Sequence, residues 1–182
     1  MSTLIEAPST ASTNDSQTRS QPPQLRLFTV AEYYKMAEAG ILRPEERVEL
    51  IEGSILTMSP KGIEHAACND KASYYFSKVL VDRVIVRNQN PIHLEGDSEP
   101  QPDLCLASPD KQGYFDHHPT VAEALLVLET ASSSLDYDLQ DKALLYSRAA
   151  IIQYCVLNLS PGELVDYREP GPDGYRSKRN IP

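Results

Sequence analysis

Three nearly continuous apolar runs organise this chain: Leu104-Cys105-Leu106, Ala124 to Leu128, and Ile151 to Leu157. Each is bounded by turn residues, and a helical pattern separates the second from the third. Such runs read as strands buried on both faces of a mostly parallel or mixed sheet. Shorter patterns add to it. Val84-Ile85-Val86 predicts a strand and Pro91-Ile92-His93-Leu94 a shorter one, while Arg47 to Leu56 predicts a hairpin turning near Gly53-Ser54. Ser160-Pro161-Gly162 predicts a turn into a terminal strand over Glu163–Arg168, followed by a Gly/Pro-rich end.

Helical spacing appears in three places. Thr29 with Glu32 forms a capping box, Phe28 and Tyr33 are placed as a hydrophobic staple, and Gly40 is the stop. A longer helix is predicted from about Glu64 to Leu80, with Cys68, Ala72, Tyr75, Phe76 and Val79 on its apolar face. A third is predicted from about Asp138 to Ala150, where Leu139, Ala143, Tyr146 and Ala150 form one stripe.

Residues 1–24 are rich in Ser, Thr, Gln and Pro and carry almost no large apolar groups. They cannot bury enough surface to offset the entropy of ordering, which predicts a disordered tail followed by one domain over 25–182. The formal charge is −9. Glu6, Asp15 and Arg19 leave the tail at −1, so the domain holds the other −8. That balance opposes free binding to a polyanion, although a bound divalent ion offsets the charge of an acid cluster. Cys68, Cys105 and Cys155 have neither metal-type spacing nor even pairing, as expected of reduced thiols in the cytoplasm. No apolar run approaches the ~18 residues that a bilayer span needs.

The chemistry concentrates at the ends of the apolar runs. Asp103 opens the first, Glu129 closes the second, and Lys142 lies on the helix that follows. Two hard carboxylates on adjacent strands with a lysine beside them form a candidate divalent-metal site for hydrolysis. Lys142 lies within roughly 60° of Leu139, at or beside the stripe, so it either snorkels to solvent or meets an anion. His65 falls on the inner face of its helix, where a satisfied core histidine competes with a site residue. Glu49 is either an exposed strand acid or part of the site. The run Asp116-His117-His118 reads as a solvated loop, since adjacent loop residues rarely converge on one ion.

Pro102-Asp103, Leu128-Glu129-Thr130, Asp138 to Lys142 with Tyr146, and Ile152 to Asn158 together resemble the PD-(D/E)XK nuclease superfamily, and more closely its Uma-two family. In that family the lysine of the usual acid-x-lysine motif is thought to have moved from the strand to the following helix. Here Thr130-Ala131 stands at the strand position and Lys142 on the helix. The likeness reaches upstream to Val48–Gly53 and to Ser59-Pro60 with His65. It implies an α/β fold with a restriction-endonuclease-like mixed sheet flanked by helices, plus an N-terminal helix and hairpin. It further implies a cytoplasmic nuclease that cleaves DNA, with a homodimer as the candidate assembly and Mg²⁺ or Mn²⁺ on Asp103 and Glu129. Lys142 would assist the attacking water, with Glu49 and His65 at the rim. The rival reading, favoured by the acidic balance and the missing strand lysine, is a nuclease-like fold without chemistry, serving as a nucleic-acid or protein interaction module. The family usually continues past the terminal strand, so an end at Pro182 predicts a missing edge or subunit-contact element.

Overall fold

The computed structural model describes residues 24–160 and 162–182. The tail expected over 1–24 lies outside the described residues apart from Gln24, as does Pro161 of the expected turn.

The element order is α1 (Val30–Glu38), β1 (Val48–Ile51), β2 (Ser54–Thr57), α2 (Ile63–Val79), β3 (Ile85–Asn88), β4 (Leu104–Ala107) and β5 (Ala124–Ala131). It continues with α3 (Leu135–Tyr137), a wide π turn over Asp138–Lys142, α4 (Ala143–Arg148), β6 (Gln153–Asn158), β7 (Glu163–Arg168) and β8 (Ser177–Ile181). Strands β1 and β2 form a separate hairpin; the other six form one sheet in the order β3-β4-β5-β6-β7-β8. The sheet is mixed as expected but mostly antiparallel: β5–β6 is its parallel pair. That pair is joined by the α3–α4 crossover, the long connection that parallel neighbours require.

Strand alternation assigns the faces. Cys105, Val127, Tyr154, Val156 and Val165 pack with Ala143, Leu145 and Tyr146 of α4. Leu104, Leu106, Leu128 and Cys155 point the other way, against Ala72 and Phe76 of α2. Both faces are covered, which explains why the central strands read as unbroken apolar runs. Each fully buried Leu or Val stabilises the fold by roughly 1.5–3 kcal/mol. This core offsets the cost of the buried charges described below.

The N-terminal expectations hold. Thr29 and Glu32 form the capping box, and Gly40 follows the helix end with φ +71°. The hairpin turns at Glu52-Gly53, both with positive φ. Gly53 is held between chain segments: its N–H donates to Asp97 O at 2.8 Å and its carbonyl accepts from Phe28 N–H at 2.8 Å. A Cβ there would lie 2.5 Å from Leu27 Cβ, at φ +75°. Gly53→Ala should therefore destabilise the protein by about 1–3 kcal/mol, read as a lower urea midpoint at unchanged slope.

Four expectations need correction, and one alternative is decided. Pro91–Leu94 is no strand; Ile92 and Leu94 are buried, but Ile92 N–H is drawn crosswise to Pro100 O at 3.0 Å and His93 makes one bridge, to Thr120. Helix α2 is rotated from the predicted face, leaving Tyr75 and Val79 59% and 54% exposed. Its inward line is His65, Asn69, Ala72 and Phe76, because its first turns cover a polar pocket instead of core. The third helix begins at Leu135, before the predicted Asp138, and Ala150 is exposed at φ +62°, where the chain leaves the helix. Of the two alternatives for Lys142, burial beside Glu129 decides for the anion and against snorkelling. The expected Gly/Pro-rich end carries an edge strand instead, with β8 paired along β7.

Candidate active site

Antiparallel pairing creates the centre of the site. The β4–β5 register sets Leu104 opposite Leu128, so the residues next in line are Asp103 and Glu129. Both follow the parity of Cys105 and Val127 and point to the α4 face. Asp103 N–H donates to Glu129 Oε2 at 3.1 Å, and Thr130 N–H donates to Asp103 Oδ2 at 2.9 Å. The two carboxylates are thus fixed by the backbone of each other's strands.

The crossover delivers the lysine. The π turn widens the helix by one residue and brings Asp138 and Lys142 to the buried side, leaving Asp141 exposed. Lys142 Nζ donates to Glu129 Oε1 at 2.9 Å and lies 3.3 Å from Glu49 Oε1. Tyr146, one turn later, adds its hydroxyl to Glu129 Oε1 at 3.3 Å. Tyr154 anchors the turn by donating to the Asp138 carbonyl at 2.9 Å.

The hairpin and α2 close the ring. Val48 and Leu50 of β1 enter a local core, so Glu49 between them faces the pocket, where its Oε2 accepts from Gln101 N–H at 3.1 Å. His65 reaches over the sheet end and sets Nε2 2.8 Å from Asp103 Oδ2. The His65 Nδ1 and Asn69 Nδ2 atoms are buried without a partner among the described residues, although Asn69 Oδ1 accepts from Thr130 Oγ1 at 2.6 Å. All five expected site residues line one cavity of about 400 Å³.

Two members escaped the sequence reading. Lys61, in the coil before α2, pairs with Asp103 Oδ1. Asp138 is buried against Ser134, whose hydroxyl donates to Oδ2 at 2.6 Å. Asp138 stands four residues before Lys142, a helical spacing that could have flagged it. Lys61 carried no periodic signal. Glu52, by contrast, turns outward toward Arg148 at 3.8 Å. The loop run separates as well: His117 lies 2.7 Å from Asp116, while His118 packs near Arg87 and Glu99.

The charges explain the titration behaviour. Glu49, Asp103, Glu129 and Asp138 face Lys61 and Lys142, which leaves two formal negative charges in the cavity. Burial lifts the Glu129 carboxyl to about 8, Lys142 opposes the rise, and Asp103, Asp138 and Glu49 reinforce it. Burial likewise raises Asp138, against the Ser134 hydrogen bond and Lys142. For Lys142, burial works against the charge, but Glu129 and Glu49 outweigh it and hold the ammonium protonated above its ordinary range.

Among the described residues, no three His, Cys, Asp or Glu side chains form a ready-made metal cage. Mg²⁺ does not need one, since it takes one or two carboxylates and fills the remaining positions with water and phosphate oxygens. The donor chemistry fits: hard carboxylate oxygens from adjacent strands, in a pocket whose acids outnumber its lysines.

The sequence model of the Uma2 family, described as "Putative restriction endonuclease", matches residues 30–181. No curated protein matches the chain. Among solved structures the fold is similar to one from Anabaena variabilis ATCC 29413, described as "a putative nuclease belonging to DUF820". The TM-score is 0.68 at 14% identity, over 85% of this chain and 84% of that one. No described helix is long and apolar enough to cross a membrane. A match across almost the whole domain, on a nuclease fold, shows that this chain belongs to the Uma2 family.

Proposed function

We infer that the protein is a divalent-metal-dependent endonuclease that hydrolyses phosphodiester bonds of DNA in the cytoplasm. One observation carries this reading: Asp103, Glu129 and Lys142, distant along the chain, share one cavity, with the ammonium 2.9 Å from a carboxylate that a cation would need. Asp103 and Glu129 would hold Mg²⁺ or Mn²⁺, with a strand carbonyl such as that of Thr130 completing the set. When bound, the ion supplies positive charge that polarises the phosphoryl group and makes a nearby water more acidic. Lys142, held protonated, counters charge that builds on the phosphoryl oxygens and keeps Glu129 in place. His65 helps to orient Asp103, and Glu49 is a second acid on Lys142.

The test is conversion of supercoiled plasmid to open-circle and linear forms. Activity is expected with Mg²⁺ or Mn²⁺ and lost in EDTA; cleavage that persists in EDTA rejects the metal-dependent reading. Absence of cleavage under every metal condition leaves the fold as an interaction module.

The crowded acids give a second expected result. A carboxyl raised to about 8 still carries its proton at neutral pH, and a cation must displace it. Mn²⁺ binding should release close to one proton at pH 7 and strengthen as pH rises toward 9. Calorimetry in buffers of different ionisation enthalpy reads this, and zero proton release contradicts it.

A further inference from the structure

The two lysines of the cavity are held differently. Lys142 projects from a helix backed by the core, bridges two acids and leaves its side chain 5% exposed. Lys61 projects from the coil between β2 and α2, pairs with Asp103 alone among the described residues and is 15% exposed. On Asp103 itself, Oδ2 is committed to the Thr130 amide and to His65, while Oδ1 meets Lys61 among the described residues. The oxygen best placed to ligate a cation is therefore the one that Lys61 occupies.

An ammonium and a dication cannot both sit in contact with one buried oxygen, because their mutual repulsion in a low-dielectric pocket is large. A buried Asp103 with neither partner is costly too, since unpaired interior charge is penalised heavily. We propose that Lys61 is a resident counter-ion: it neutralises Asp103 in the cation-free protein and yields Oδ1 when a divalent ion binds. This rests on the reading of the cavity as a divalent-cation site. It makes Lys61 a positioning residue that competes with the ion and sets its apparent affinity. If the pair is closed about nine-tenths of the time, the competent fraction is one-tenth and apparent affinity falls about tenfold.

Lys61→Met keeps the apolar stem and removes the charge. Titration of free Mn²⁺, followed by its electron paramagnetic resonance signal, should show Lys61→Met binding about tenfold tighter than wild type and Asp103→Asn binding far weaker. Without metal, Lys61→Met should melt below wild type, and saturating Mn²⁺ should close that gap. Lys61→Arg gives the opposite sign, because a forked guanidinium grips a carboxylate more firmly and should weaken Mn²⁺ binding. If both Lys61 variants bind Mn²⁺ like wild type while Asp103→Asn abolishes binding, the counter-ion role is overturned and the cation site stands. Should wild type and Lys61→Met both fail to bind Mn²⁺, the counter-ion role and the metal reading fall together.

Discussion

Lys142→Met is expected to lower metal-dependent plasmid cleavage by at least ~10²-fold and to destabilise the protein. The catalytic loss follows from removing one preorganised cation near the reacting phosphate, an interaction worth ~3 kcal/mol. The stability loss has a separate origin. Lys142 is the shared partner of Glu129 and Glu49, all three buried. Removing one partner of such a pair costs about 3–5 kcal/mol, because the remaining charge has no replacement solvent. The pH dependence has a definite sign. A carboxyl whose folded value lies above its unfolded value stabilises the fold when protonated, and that contribution is lost as pH rises from about 4.5 through about 8. Without Lys142 the upward push on Glu129 grows. The variant should therefore lie closest to wild type near pH 5 and furthest from it near pH 9 in urea melts. Cleavage by Lys142→Met at the wild-type rate would remove Lys142 from the chemistry.

Asp103→Asn should be equally damaging to activity and nearly silent in stability. The amide oxygen can still accept from Thr130 N–H, so the local backbone keeps its partner. The substitution removes one of four acids from a cavity with two excess negative charges, which relieves Glu129. Lys61, partly exposed at the mouth, can turn to solvent. The expected result is cleavage reduced by at least ~10²-fold with a melting temperature equal to wild type or above it, the usual trade between stability and a charged site. A fall in both together would identify Asp103 as structural. The contrast with Lys142→Met is diagnostic, since one variant removes a needed counter-charge and the other a surplus charge.

Several elements were legible residue by residue. Thr29 and Glu32 specify a helix start through hydrogen bonds three residues apart, and Gly53 specifies a turn through its φ. The apolar runs around Cys105, Val127 and Val156 specify strands covered on both faces. Asp103 and Glu129 stood out as acids at the ends of such runs. Other features depended on distant partners. The apolar pattern of α2 does not identify its inner face, because Tyr75 and Val79 are as apolar as Phe76, and only the pocket beneath His65 and Asn69 decides which side turns inward. Helical spacing alone leaves Lys142 equally a surface lysine; Glu129 and Glu49, from two separate strands, decide that it is buried. Lys61 had no local signature at all.

Sequence by itself determined the central strands, the cap of the first helix and the family, because hydrophobic period, capping hydrogen bonds and backbone dihedrals act over a few neighbouring residues. Tertiary structure alone decided that six charged groups from five segments share one cavity and that their acids outnumber their lysines by two. Electrostatic balance is set by distances through space in a low-dielectric interior, and those distances exist only after the β4–β5 register and the crossover helix are in place.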